Sequence, residues 1–369
     1  MKRVLSSAFA LALVASPAVA QEDLLSSCGD LTVQYSLAGA PPTTVQPPTG
    51  GEQAQEQLRY LCGQVVDAMT TLQPSIGVSF TGGNHTLGTA TTIGRRLGLF
   101  PRISVTARAT GALADGPDLL DGFDATIGED GELPPMGTTG IPMGSLQGDI
   151  VVGLFNGLSF GPAVGGLGSV DLLGSLSFIP ALDAIGLDES IVNWGAGARV
   201  GILRQGLVMP GISVSGMYRK MGEQSFGNVG EGDPAQFSSD LSTLSLRGAI
   251  SKGILAFDLA AGAGYDIYSS DVGFDFQLTC PASECTVETT ASPTEPIQGE
   301  LKTAAWNVFG NVGLSLLVVN IVGEVGYQKA TDVVSAADLA EAGLPDRAPT
   351  AGELEDGRFF GSVGVRFTF

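Results

Sequence analysis

Few residues of this chain could carry out catalysis or hold a metal ion. The sequence contains a single histidine, His85, within Gly83-Asn84-His85-Thr86. A serine–histidine nucleophile needs both side chains presented together, and a zinc site draws on several histidines or cysteines. We therefore expect His85 to be a solvated loop residue, and the sequence predicts neither an enzyme nor a metal site nor a cofactor.

The four cysteines are the other chemically distinctive residues. In an exported chain they indicate two disulfides better than metal ligands. Cys280 and Cys285 would close a tight loop, and by elimination Cys28 would pair with Cys62. Leu25-Ser26-Ser27-Cys28 also has the form of a lipobox, in which Cys28 would carry lipid instead.

Charged side chains recur on one face of segments in which apolar and polar or small residues alternate. If such segments close into a barrel, the charges line its lumen. They would then either pair with one another and fill a narrow interior, or form a constriction that selects solutes. The predicted lumen-lining residues are Arg102, Arg108, Asp149, Asp171, Arg199, Arg219, Arg247, Asp258, Asp266, Glu324 and Arg366.

The N-terminus predicts the compartment in which these segments fold. Lys2 and Arg3 precede the largely apolar stretch from Val4 to Ala15, and Ala18-Val19-Ala20 follows. This pattern is typical of a signal peptide over residues 1–20, removed after export through the Sec route.

Composition narrows the class of protein further. The chain has 53 glycines, 44% hydrophobic residues and only 15% charged residues, with 18 basic against 38 acidic side chains. The acidic balance makes nucleic acid an improbable partner. No stretch after the signal peptide has the roughly 18 apolar residues of a membrane helix, so a membrane protein of this sequence must be a closed barrel.

The mature chain begins with a predicted extended periplasmic linker over residues 21–50. An amphipathic helix follows over residues 51–72, where apolar residues recur every three or four positions. We expect this helix to pack against the barrel or to plug its periplasmic mouth; a partner-binding helix is the alternative. The apolar positions are Leu58, Leu61, Cys62, Val65, Val66, Met69 and Leu72.

After Pro74 the pattern changes to the period of two that is typical of β-strands. This predicts an all-β fold: an antiparallel transmembrane β-barrel of about twelve strands over residues 73–369. The alternating segments lie near residues 76–80, 86–94, 102–110, 148–154, 168–178, 193–202, 211–219, 241–251, 255–267, 304–316, 318–328 and 358–369.

Connection lengths alternate along the chain and predict the orientation of the barrel. The connections near residues 111–145, 221–240, 269–300 and 331–357 are long, and the intervening ones are short. Outer-membrane barrels have long extracellular loops and short periplasmic turns. The long connections are acidic, which indicates a solvated, repelling surface or cation bridges to anionic lipopolysaccharide.

The last strand carries the most specific motif. In it Phe359, Gly361, Val363, Val365, Phe367 and Phe369 alternate with Phe360, Ser362, Gly364, Arg366 and Thr368, and the chain stops at an aromatic residue. This strand resembles the C-terminal strand of bacterial outer-membrane β-barrel proteins of the porin-like superfamily. The resemblance implies that Phe369 is read by the barrel-assembly machinery, that lipid and lipopolysaccharide surround the barrel, and that it lies in the outer membrane.

Two functions fit these features. The polar, glycine-rich inner face favours a small channel or uptake protein for solutes. The acidic loops favour a structural or surface-interaction barrel without transport. A soluble β-sandwich or a β-solenoid is the alternative fold, since alternation alone does not decide whether an apolar face meets lipid or a second sheet.

Overall fold

The computed structural model of the chain describes residues 17–37, 51–95, 101–117, 138–159, 165–180, 190–226, 229, 235–280, 289–316, 318–331, 338, 341–342 and 357–369. Two helices precede the barrel, α1 (Pro17–Gly29) and α2 (Gly51–Thr81). Neither of these helices is both long and apolar enough to cross a lipid bilayer. The short strands are β1 (Val33–Leu37), β4 (Leu158–Ser159), β5 (Gly165–Leu167), β9 (Gln224–Phe226), β12 (Leu278–Cys280) and β13 (Thr289–Pro293).

Ten long strands form a closed antiparallel barrel. Each pairs with the next one along the chain, and the last pairs with the first. The strand count is therefore ten, and the prediction of about twelve was wrong. The strands are β2 (Ile103–Pro117), β3 (Thr138–Phe155), β6 (Ser169–Ile179), β7 (Ile191–Leu203), β8 (Gly211–Met221), β10 (Ala235–Ile254), β11 (Phe257–Phe276), β14 (Ile297–Leu316), β15 (Val319–Ala330) and β16 (Gly357–Thr368).

Phe369 lies at the seam where the barrel closes. Its backbone N–H donates to the carbonyl of Ile103 at 2.9 Å, and the N–H of Ile103 lies 3.4 Å from the carbonyl of Phe369. Closure leaves the barrel without an unpaired edge strand. The C-terminal residue therefore completes the pairing of β16 with β2, and its side chain is exposed.

The two missing strands are the predicted segments 76–80 and 86–94. The first belongs to α2, which continues through Pro74 to Thr81, and the second is irregular chain. Leu72, Ile76 and Phe80 are four residues apart, so this stretch fits a helical face as well as an alternating strand. Packing inside the barrel stabilises the helical conformation, because Ile76 and Phe80 contact inward-facing residues of the barrel wall.

The outer face of the barrel is apolar and is bounded by aromatic rings at both ends. From Phe359 to Phe367 the chain rises ~26 Å along β16, or ~20 Å along the barrel axis at a tilt of ~40°, close to the ~25 Å apolar band of membrane barrels. One girdle is formed by Trp194, Tyr218, Tyr265, Trp306, Tyr327 and Phe359, and the other by Phe155, Phe257, Phe367 and Phe369.

The two ends of the barrel differ in the length of their connections. At one end β7 and β8, β10 and β11, and β14 and β15 are joined by short turns, as little as two residues between Ile254 and Phe257. At the opposite end, long connections over 118–137, 277–296 and 331–356 join the strands. The predicted acidic loop segments fall mostly outside the described residues.

Helix α2 runs through the barrel rather than across its short-turn mouth. Its first half packs at the long-loop end, where Leu58 and Val65 join a cluster with Phe274 and Ile297. The chain then passes down the lumen to Gly94, which lies against Gly153 at the short-turn end. The helix was expected to pack against the barrel or to plug its periplasmic mouth; it lies inside the barrel, with its start covered by apolar inner faces of β10, β11 and β14 at the long-loop end.

A small cap covers the long-loop end of the barrel. A Cys28–Cys62 disulfide joins α1 to α2, and β1 pairs with β13, which pairs with β12. The predicted linker over 21–50 is therefore helical to Gly29 and a strand over Val33–Leu37, while 38–50 lie outside the described residues. Most of the predicted signal peptide and Cys285 also lie outside them, so the pairing of Cys280 with Cys285 stays a prediction.

The fit of α2 to the wall predicts the effect of one added methyl group. A Cβ atom at Gly77 would lie 2.0 Å from a ring carbon of Tyr268. We expect Gly77→Ala to lower the free energy of unfolding by about 1–3 kcal/mol, the usual cost of overpacking, measured by urea unfolding in lipid vesicles. The control is Gly148→Ala, where nothing lies within 4 Å of the added atom; equal stability of the two variants would contradict the packing.

Candidate functional site in the barrel lumen

The charged residues of the strands gather on the inner face of the barrel wall. Nine of the predicted lumen-lining residues are buried there: Arg108, Asp149, Asp171, Arg199, Arg219, Arg247, Asp266, Glu324 and Arg366. Asp258 is half-buried and accepts a hydrogen bond from Ser315 near the short-turn end. Arg102 is exposed, because it precedes β2 at the rim of the barrel.

Three of these arginines pair with carboxylates of neighbouring strands. The nitrogen–oxygen distances are 3.1 Å for Arg108–Asp149, 2.7 Å for Arg199–Asp171 and 2.8 Å for Arg247–Asp266. All six side chains are buried. Buried charges persist only with such partners and further hydrogen bonds, so these six charges form ion pairs within the wall, whereas no described residue accepts a hydrogen bond from Arg219.

The same arginines also bind the chain inside the barrel. Arg108 donates to the carbonyls of Asn84 at 3.1 Å and of Thr81 at 3.3 Å. Arg247 donates to the carbonyls of Gly83 at 2.6 Å and of Gly82 at 3.1 Å. These carbonyls lie at and just beyond the end of α2, where helical hydrogen bonding stops.

Two further arginines bind the segment inside the barrel, one on each side of the end of α2. Arg358 donates to the carbonyl of Thr71 at 3.2 Å and to the hydroxyl of Ser75, beside Pro74. Towards the short-turn end, Arg366 donates to the carbonyl of Leu87 at 2.6 Å. The arginines of the wall therefore hold residues 71–87 mainly through hydrogen bonds to their backbone carbonyls. These hydrogen bonds do not depend on the side chains that most of residues 71–87 carry.

Wall carboxylates bind the N–H groups of the same segment. Glu324 accepts from the backbone nitrogens of Gly83 at 3.0 Å and Asn84 at 2.8 Å. Asp171 accepts from those of Ile93 at 3.1 Å and Gly94 at 3.3 Å. We call residues 51–95 the plug, because the wall binds both donors and acceptors of its backbone along the lumen.

His85 belongs to this plug and is buried between it and the wall. Its Nδ1 lies 2.9 Å from the hydroxyl of Ser215, and the side chain is 3% exposed. The expectation of a solvated loop was wrong, because the residues around His85 lie inside the barrel. The neighbouring Asn84 donates from its side chain to Asn311 at 2.9 Å.

The sequence analysis did not identify several other polar residues of the site, most of them uncharged. They lie buried on the same alternating faces as the predicted charged residues, so the same alternation could have identified them. Arg358 was missed although it occupies the inner face of the closing strand. The residues concerned are Gln147, Tyr268, Asn307, Asn311, Gln328 and Arg358.

Comparisons with known proteins show similarity in fold. No protein-family model matches the chain, and no curated protein matches it. The outer membrane protease OmpT from Escherichia coli matches with a TM-score of 0.34 and 9% identity over 73% of this chain and 97% of that one. The translocator domain of the autotransporter NalP from Neisseria meningitidis matches with a TM-score of 0.34 and 10% identity over 73% and 88%. Neisserial surface protein A matches with a TM-score of 0.27 and 8% identity over 73% and 97%.

These scores are low, so the class of the protein depends on the barrel itself. Its strands close without an edge, its outer face is an apolar band between two aromatic girdles, and its inner face is polar. Only such a cylinder satisfies the backbone of strands within lipid. The chain is an outer-membrane β-barrel protein. In this outer-membrane barrel the candidate site is the interface between wall and plug.

Glu324 provides the sharpest test of that interface. Both carboxylate oxygens accept hydrogen bonds, from Gly83 and Ser362 on one side and from Asn84 and Asn311 on the other. Glu324→Gln would turn an N–H group towards these donors and leave them unsatisfied. We expect a loss of about 2–3 kcal/mol in the free energy of unfolding, measured in lipid vesicles.

The control for this experiment is Glu295→Gln, since Glu295 is exposed at the long-loop end. A surface change of this kind usually alters stability by less than ~0.5 kcal/mol. If Glu324→Gln were as stable as Glu295→Gln, the plug would not be held by the Glu324 carboxylate.

Proposed function

We propose that this protein is a closed outer-membrane barrel that displays its N-terminal cap and its loops at the bacterial surface. The observation that carries this proposal is the plug, which runs the length of the lumen and is bound to the wall at Arg108, Arg247 and Glu324. A permanently open channel needs a water-filled path in the space that the plug fills. The geometry therefore favours the structural or surface-interaction function over the open channel.

The position of the cap supports display outside the cell. Long connections of outer-membrane barrels face the exterior, and short turns face the periplasm. Helix α1, strand β1 and the start of α2 lie at the long-loop end. On this orientation the N-terminal segment is exported through the Sec route, the short-turn end meets the barrel-assembly machinery through Phe369, and the loops meet lipopolysaccharide.

The proposed role is not enzymatic. The serine–histidine contact between Ser215 and His85 lies buried between plug and wall. A nucleophile must be accessible to its substrate, so this contact is more simply a structural hydrogen bond. Partners of this protein would instead be bound by the cap or the loops.

A gated channel is the second candidate, and one observation favours it. The irregular part of the plug, residues 82–95, is held mainly by polar contacts with the wall. Water could replace such contacts if the segment moved, whereas it could not replace apolar packing. The lumen left behind would be polar and lined by arginines and carboxylates.

A conductance measurement distinguishes a barrel closed by the plug from an open channel. We expect purified protein in planar bilayers to show no steady current at low voltage, because the plug fills the lumen, and Glu324→Gln to show brief openings. Steady ohmic conductance of the unaltered protein would remove the closed barrel. Voltage-dependent openings of the unaltered protein would favour the gated channel.

Surface labelling tests the orientation. Asp23 is exposed in the cap, and Leu207 is exposed in a short turn at the other end of the barrel. A membrane-impermeant maleimide should label Asp23→Cys in intact cells, and should label Leu207→Cys only after the outer membrane is permeabilised. The reverse pattern would place the cap in the periplasm and end the proposal of surface display.

A further inference from the structure

Two short turns at the end of the barrel opposite the cap carry aliphatic side chains at their tips. Leu207 in the turn between β7 and β8 and Leu255 in the turn between β10 and β11 are fully exposed, and Val208 is 84% exposed. Turns that face water are built mainly from glycine, proline, asparagine, aspartate and serine. The aliphatic tips therefore need a reason other than turn formation.

Leu255 also adopts a backbone conformation that does not suit leucine. Its φ is +57°, the only positive φ of a non-glycine residue in the described part of the chain. Glycine reaches this left-handed region without a steric penalty, whereas the Cβ atom of a leucine crowds the following carbonyl. A leucine here is unfavourable for the turn itself, which indicates that its side chain has a role outside the turn.

The two turns lie side by side, because β8 pairs with β10. The hydroxyl of Ser251 on β10 donates to the side-chain oxygen of Gln205 at 3.1 Å and joins the two turns at their base. We call residues 205–210 together with Leu255 the turn anchor, since both segments present aliphatic tips at one side of the barrel rim.

Carbonyl groups of the turn anchor are satisfied within the protein. The ammonium of Lys252 donates to the carbonyls of Gly206 at 2.8 Å, of Leu207 at 2.7 Å and of Met209 at 3.3 Å. The carbonyl of Met209 also accepts from the N–H of Gly206 at 3.0 Å. Water can hydrate the carbonyls of an aqueous turn, whereas a turn beside lipid must satisfy them internally. The contacts of Lys252 therefore suit a turn that lies against lipid.

The turn anchor continues the lipid-facing surface of the barrel. Lys252 lies on the outer face of β10 between the exposed residues Ile250 and Ile254. Leu255 is two residues from Phe257, which belongs to an aromatic girdle. Two residues of extended chain rise ~7 Å, or ~5 Å along the barrel axis at a tilt of ~40°. The headgroup layer beyond the hydrocarbon is about 5–8 Å deep on each side of a bilayer, so the anchor reaches into this layer.

Lipid is the occupant that fits the distribution of these side chains. Exposed aliphatic residues also occur at the other short turns, at Leu158 between β3 and β6 and at Leu316 and Val318 between β14 and β15. Exposed apolar surface of this kind marks a membrane or a protein contact. A bilayer leaflet surrounds a barrel, whereas a protein partner would cover one side of it. Aliphatic residues that recur around the rim therefore favour lipid.

We propose that the turn anchor inserts Leu207, Val208 and Leu255 into the acyl–headgroup boundary of the phospholipid leaflet at the short-turn end. Binding to this boundary grows with the apolar area buried in it, and these three side chains have nearly all of their area free for lipid. A thiol at headgroup depth still meets water, so Leu207→Cys reacts with maleimide after permeabilisation at a reduced rate. The insertion depends neither on the plug nor on which end of the barrel faces the exterior.

Fluorescence quenching by spin-labelled lipid tests the insertion. Leu207→Cys, Leu255→Cys and the control Asp23→Cys, at an exposed position of the cap, each carry a nitrobenzoxadiazole fluorophore. The protein is folded in vesicles of phosphatidylethanolamine and phosphatidylglycerol, and part of the lipid in both leaflets bears a nitroxide near the headgroup end of its acyl chain. Because both leaflets contain the nitroxide, the orientation of the barrel does not affect the result.

We expect a blue-shifted emission and strong quenching at the two turn positions, and little quenching at the cap position. The unaltered protein, treated with the same fluorophore, corrects for its four native cysteines. Quenching at the turn positions that is no stronger than at the cap position would overturn the insertion, because the turns would then face water or a protein partner.

A substitution at Leu255 separates insertion from turn formation. Asparagine adopts a positive φ more readily than leucine, so Leu255→Asn would stabilise a turn that faces water. If the turn is inserted, the polar side chain loses contact with lipid, and we expect a lower midpoint of urea unfolding in vesicles. Leu255→Met keeps an apolar side chain and should leave the midpoint unchanged. An unchanged or raised midpoint for Leu255→Asn would contradict the proposal; both variants should fold, since Leu255 is fully exposed.

Discussion

The structure depends on backbone hydrogen bonding in a lumen that is closed to bulk water. The end of a helix and an irregular segment carry backbone N–H and C=O groups that are costly to leave without hydrogen bonds inside a protein. The wall provides both kinds of partner at the same residue: Glu324 accepts from the N–H of Gly83, and Arg247 donates to its carbonyl. This allows a non-helical segment to lie at membrane depth, which is tolerated only where protein or water surrounds it.

Wall and plug share hydrogen bonds, and neither set of polar groups is complete without the other. Arg108 has a carboxylate partner in Asp149, yet its remaining nitrogens bind the carbonyls of Thr81 and Asn84. Buried polar networks of this kind are stabilising when every member is paired and costly when members are lost. Withdrawal of the plug would thus expose arginines and carboxylates that only water could satisfy. Several of the charges that suggest a channel are therefore the groups that bind the plug.

The ends of the barrel are held by different forces, which gives the molecule its polarity. At the long-loop end, apolar side chains of α1 and α2 pack against Phe274 and Phe276, and the Cys28–Cys62 disulfide joins the two helices. In the middle and at the short-turn end, hydrogen bonds that involve Arg108, Arg247 and Glu324 are added to small apolar clusters such as that of Phe80 with Tyr268. The long-loop end is therefore held by a continuous apolar core and a covalent bond, whereas the segment inside the lumen is held by both hydrogen bonds and smaller apolar clusters.

The sequence alone predicts the barrel class and the alternation of inner and outer faces, because strand period and turn length are local properties. It suggests Cys28 and Cys62 as partners only by elimination, and their disulfide is established by the fold that joins α1 to α2. The sequence also placed Arg108, Arg247 and Glu324 on the polar face. That residues 76–94 enter the lumen as helix and irregular chain follows from the packing of the folded protein and is not evident from the sequence. Their alternation is compatible with both a strand and a helix, and burial against the inner wall selects between them, since the wall provides the hydrogen bonds that a neighbouring strand would otherwise supply.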